Sequence, residues 1–274
     1  MLKSTWQSLK STWKVYGALA AMEPKLFLAY RIWVWMEFIV QIVAMTTFVY
    51  FWRAVYQNTS TLSGLSLTQT LNYVLLAQIL APVIGTRLIF AMGYGMREGM
   101  IGIELLRPVD FQARYYVEAL TDVVVASITK VPLVLLAVLL FGLHLPADML
   151  TWGAFAVSLF LGFTVIFFFD WILACLAFYT TEVWGWSVLR YGFGLFFSGA
   201  LVPLDMMPDW LRTLTSALPF VQSLYVPVSL LSGITPVSEA PRLWLVQLVW
   251  LVCMALASRL VFRRAVRAVT VQGG

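Results

Sequence analysis

Charge is scarce in this chain: 11% of its 274 residues are Asp, Glu, Lys or Arg, against 61% that are hydrophobic. So little polar surface leaves no room for a soluble catalytic domain and marks an integral membrane protein. Histidine is nearly absent. His144 falls in an expected loop, Leu143-His-Leu-Pro-Ala-Asp148, with no nucleophile nearby, so neither acid–base catalysis nor a metal site is expected. The two cysteines, Cys175 and Cys253, fall inside apolar runs and read as small buried side chains, not as a disulfide. Also missing are an H-E-x-x-H zinc motif, a G-x-S-x-G elbow, a matched pair of membrane aspartates and a G-x-x-x-x-G-K-[ST] phosphate loop. Without that loop the chain is not expected to bind or hydrolyse ATP, and any energy source comes from a partner. A cleavable signal peptide and a nucleic-acid partner are not expected either.

What the sequence does have is long apolar runs. A bilayer core of about 30 Å takes roughly 20 apolar residues per helix. Six crossings are expected near Ile32–Trp52, Leu71–Phe90, Leu120–Leu143, Trp152–Tyr179, Trp186–Val202 and Leu243–Phe262, so the fold class is all-α and residues 31–274 form one six-span domain. Lys and Arg collect on the cytoplasmic side of bacterial membranes. With the N-terminus inside, only Arg53, Arg212 and Arg242 face out and Lys130 stays in the membrane. Both termini are then cytoplasmic, in a bacterial cytoplasmic (inner) membrane. A seventh span over Trp210–Leu231 would put the C-terminal arginines outside. Pro219 and Pro227 also oppose it, since an interior proline removes a helical donor at about 3 kcal/mol. The region 203–240, with Pro203, Pro208, Trp210 and Pro219, is expected to hold short re-entrant or surface helices on the outer side.

Residues 1–30 carry a repeat, Leu2-Lys-Ser-Thr-Trp6 and Leu9-Lys-Ser-Thr-Trp13. On a helix Leu2, Trp6, Leu9, Trp13 and Tyr16 share one face beside three lysines, which describes an amphipathic helix lying against membrane lipid. The ionisable residues singled out inside the spans are Glu37, Arg87, Lys130, Asp170 and Arg190. Counting from the cytoplasmic ends of spans three and four puts Lys130 and Asp170 at similar depths, so they are expected to pair. That pair is either structural or part of the transport machinery.

Ser198-Gly199, Pro203-Leu204, Pro208, Trp210-Leu211, Leu214 and Pro219-Phe220 resemble the segment after the fifth span of the ABC-2 permeases, the membrane subunits of type-2 ATP-binding-cassette exporters. Ile103-Glu-Leu-Leu-Arg-Pro-Val-Asp110 resembles a branch of that family often built from two unlike permeases and an ATPase. The resemblance implies a cytoplasmic coupling helix in the link 94–117, docking on an ATP-binding-cassette ATPase subunit through Arg97, Glu98, Glu104, Leu105, Leu106, Arg107 and Asp110. Pro108 is expected to end that helix just past Arg107. It further implies a second permease, identical or related, across a pathway faced by spans one and five, with Phe38, Gly192, Phe193, Gly194, Phe196 and Gly199 on that face. ATP and Mg belong to the partner ATPase, and no cofactor to this chain. The aromatic, weakly charged interior favours an amphiphilic or hydrophobic substrate. A small secondary transporter and a membrane-embedded enzyme or assembly factor are the alternatives.

Overall fold

The computed structural model describes Gly17, residues 31–180 and residues 182–268. The amphipathic helix expected over 1–30 therefore lies outside the described residues, Gly17 apart. The described residues are 79% helical with almost no sheet, which agrees with the all-α class.

Helix α1 (Arg31–Val55) leads into a small hairpin, β1 (Thr61–Leu62) and β2 (Leu65–Ser66), turned by Ser63 and Gly64 at positive φ. Ser66 then caps α2 (Leu67–Ile84) in a reciprocal box with Gln69, satisfying two amides that the helix start leaves open. After a bend at 85–87 the chain continues as α3 (Leu88–Arg97), a short α4 (Met100–Leu105), α5 (Phe111–Thr129) and α6 (Val131–Phe141). Helix α7 (Met149–Ala174) ends in a 3-10 turn over Cys175–Phe178. Next come α8 (Trp184–Phe197), three short helices α9 (Asp209–Ser216), α10 (Phe220–Ser223) and α11 (Tyr225–Ser232), and finally α12 (Ala240–Ala265).

The bundle has two distinct ends. At the hairpin end, the His144 amide donates to Asn72 Oδ1, and Asn72, His144 and Pro236 share one surface cleft. At the link end, Trp171 is the hub of an aromatic core with Phe111, Tyr115, Phe167 and Phe262, closed by Ile101, Phe178, Val183 and Ala265. Helix α7 runs between them and packs against α12, α10, α11 and α3.

Among the described residues, five segments are long and apolar enough to cross a membrane: Ile32–Val55, Leu67–Arg97, Phe111–Phe141, Met149–Phe178 and Val237–Ala268. The expected fifth span, Trp186–Val202, is the exception. Helix α8 has 14 residues, about 21 Å of rise, and stops before Gly199, whose φ of +81° takes the chain out of helix. Residues 210–231 do not form one helix. The chain breaks around Pro219 and again at Leu224 (φ −123°, ψ −54°). Pro227 is not a breaker: it sits in the first turn of α11, where its missing N–H forfeits no helical bond.

Candidate functional site

The link between α3 and α5 is shaped by two capping features. Gly99, at φ +70°, lets the chain reverse after α3, and Asp110 caps α5 by accepting from the Ala113 amide at 2.7 Å. Helix α4 lies between them. Ile101 is buried in the link-end core and Leu105 packs half-buried against it. Met100, Ile103 and Leu106, three residues apart, are exposed at 44%, 56% and 85% and form one apolar stripe. Arg107 and Glu98 are exposed beside them. The helix ends at Leu105, so Pro108 does not set its end; the Leu106 and Arg107 amides instead close tight turns onto Ile103 and Glu104.

Three of the expected docking residues have internal partners. Glu104 forms an ion pair with Arg114 at 2.9 Å and accepts from the Tyr115 hydroxyl at 3.0 Å, and Arg114 also holds Glu118. Asp110 binds Arg259 of α12 through both oxygens, at 2.7 and 3.1 Å. Arg97 reaches Glu182 at 3.2 Å. Burial alone would raise the Asp110 carboxyl, but Arg259 and the first amides of α5 outweigh it and hold it below its ordinary range.

Inside the bundle the ionisable residues pair differently from expectation. Lys130 does not meet Asp170. Its ammonium donates to Glu37 of α1 and, at 2.8 Å, to Gln41 Oε1. The third long helix begins at Phe111, not Leu120, which moves Lys130 about 14 Å farther from the link end than the count from Leu120 gives. Gln41 also donates to the carbonyl of Gln78 at 2.8 Å. That carbonyl is free because Pro82, four residues on, has no N–H to give it. Gln78 in turn donates to Ala200 O at 3.1 Å, and the Tyr73 hydroxyl to Gly199 O at 2.9 Å, so polar contacts run from α1 to the chain just past α8.

Asp170, 1% exposed, accepts two bonds from Arg190 of α8, at 2.6 and 3.0 Å, and one from Thr86 in the α2–α3 bend. The Phe220 ring lies against both sides of this cluster, 5.9 Å from the Arg190 guanidinium and 4.9 Å from the Phe169 ring. The Pro219-Phe220 elbow thus reaches the depth of Asp170, and α11 returns to the hairpin end. Its broken backbone is sheltered. Gln247 of α12, fully buried, donates to Gln222 O at 2.8 Å and to Ser158 O at 2.9 Å. Gly162 lets α7 approach so closely that a Cβ there would lie 2.1 Å from Gln222 O.

A family model described as "ABC-2 family transporter protein" matches residues 42–273. The chain belongs to the ABC-2 transporter family. Comparison with curated proteins returns no match. Membership makes it a membrane transport component, in a family whose permeases generally work with ATP-binding-cassette ATPases.

The residues expected on the ABC-2 pathway face separate into two groups. Gly192, Phe193 and Phe196 are exposed on α8. Gly194 and Gly199 are buried within the chain, Gly194 against Arg190 and Gly199 against Tyr73 and Leu204, and Phe38 packs half-buried on the core. Of the elbow residues, Pro203 and Pro219 are buried, whereas Pro208 and Trp210 are exposed near the start of α9. Sequence reasoning missed Gln41, Gln78, Ser158 and Gln247, because it screened the spans for charge alone. Isolated amides and hydroxyls in apolar runs were the available signal.

Proposed function

We propose that the chain is the permease subunit of an ATP-driven ABC exporter, forming half of a translocation pathway and coupled to a separate ATPase that carries ATP and Mg. The stripe of Met100, Ile103 and Leu106 carries this reading. It is an apolar surface at the link end, projected by a helix whose opposite side is fixed through Ile101 and the Glu104–Arg114 contact. Apolar anchors beside Arg107 and Glu98 suit a small protein interface with a polar rim. Glu104 and Asp110, earlier given a docking role, instead hold the lever rigid, so a push on α4 reaches α5 through Glu104 and α12 through Asp110.

In this reading the link end is cytoplasmic, both termini lie there, and the membrane is the bacterial inner membrane. Helix α8 with the turn at 198–202 supplies the sixth crossing, and 203–240 re-enters from the outer side. A second permease, identical or related, covers the open faces of α1 and α8, where Trp33, Trp35, Trp186, Tyr191 and Phe193 are all exposed. The cargo is amphiphilic or hydrophobic.

Co-purification tests the coupling. Met100→Glu with Leu106→Glu is expected to lower ATPase recovery at least tenfold while the permease stays folded. Undiminished recovery contradicts the docking assignment.

A further inference from the structure

A half-open cleft runs between α2, α8 and the α10 elbow. Ile84, Ile166, Leu195, Phe220 and Leu224 give it apolar walls, and Arg190 is among its lining residues. A guanidinium has five N–H donors. Arg190 spends one on Nε and one on Nη2, both on Asp170, and Nη1 has no hydrogen-bond partner among the described residues. Nη1 lies beside Gly194, where a Cβ would come within 2.8 Å of it. Asp170 cannot turn toward the cleft, because Thr86 and Arg190 already hold both its oxygens. The cleft therefore presents mostly hydrocarbon walls, the neutral Tyr191, Ser198 and Ser223, and one charged group, which can only donate.

We propose that this cleft, about 50 Å³ and half-open, binds the head end of a single-chain anionic amphiphile, its head on Arg190 Nη1 and the first carbons of its chain along Leu195, Leu224 and Ile84, with the rest of the chain outside the cleft. A cationic head finds no acceptor on Arg190. A neutral head accepts a weaker bond than a carboxylate or phosphate does. A small free anion gains nothing from the apolar walls, which supply most of the contact in such sites. If the ligand is cargo, it gives the substrate class of the exporter proposed above, and for that step alone it rests on that reading.

The test uses the full chain in phosphatidylcholine nanodiscs, with labelled oleate measured against empty discs. Oleate is expected to bind saturably, oleyl alcohol roughly tenfold more weakly, and acetate not to compete. Arg190→Gln brings oleate down to the level of the alcohol. Asp170→Asn, which removes the neutralising charge, binds oleate as well as or better than the unaltered chain. Gly194→Ala keeps both ion-pair partners but crowds Nη1, and is expected to weaken oleate severalfold. Equal binding of oleate and alcohol, displacement by acetate, or unchanged oleate binding by Gly194→Ala overturns the proposal. No ATPase enters this measurement, so failure here leaves coupling standing, and failed co-purification leaves the cleft standing.

Discussion

Gly162 has no room for a methyl group. With Gln222 O only 2.1 Å from the position of a Cβ, the obstacle is backbone and cannot rotate away. Gly162→Ala is expected to separate α7 from the elbow and to destabilise the fold by on the order of 2 kcal/mol, read as a lower melting temperature in detergent. An unchanged melting temperature contradicts the packing. Lys130 supplies a second test at this scale. A double-mutant cycle of Lys130→Met with Glu37→Gln is expected to show coupling, and one of Lys130→Met with Asp170→Asn to show none. The reverse pattern restores the pairing first expected from depth. The sequence made the membrane-embedded charges visible but not their partners, since partner choice depends on helix ends that hydropathy blurs by several residues. Pro82 shows the same limit. A proline in an apolar run is plain to see, whereas the amide that takes up the carbonyl it frees comes from another helix.

Among the elements, the link and the elbow were legible to different degrees. Pro108 and the stretch Ile103–Asp110 marked the link, and an exposed helix does lie there. Its outward and inward faces were not legible, because Glu104 and Leu106 look equally suited to a partner until Arg114 claims one of them. The brace through Asp110 has a defined pH dependence. Its folded carboxyl titrates below the ordinary value of 3.8, so its stabilisation is complete above that value and is lost as pH falls through the lower folded value. Hydrogen exchange at the start of α5 is expected to stay slow down to about pH 4 and to quicken below it, and Arg259→Gln to remove that step. Quickening near neutral pH contradicts the assignment. In the elbow, the prolines announced interruption, but Leu224 makes the second break and Gln247 makes it tolerable. Non-helical backbone at membrane depth needs such a donor.

At the scale of the whole molecule, apolar runs sufficed for the class and the motif between Ser198 and Phe220 for the family, and five of the expected spans have long apolar helices at their place. Helix α8 falls short for a reason that composition hides: Ser198-Gly199 ends it while the sequence remains apolar to Val202. The two ends of the bundle then have separate tasks in this account. Asn72, His144 and Pro236 gather at one, and the exposed stripe of α4 stands at the other. A lever that works on the pathway needs the second end in the cytosol against an ATPase. The most direct measurement is cross-linking from a single cysteine at Leu106→Cys, with His144→Cys as control, in a chain where Cys175 and Cys253 are replaced by Ala. The account predicts that Leu106→Cys cross-links to the ATPase subunit and is labelled only from the cytoplasmic side, while His144→Cys does neither. Labelling of Leu106→Cys from outside the cell, or ATPase cross-links formed by His144→Cys instead, would contradict it.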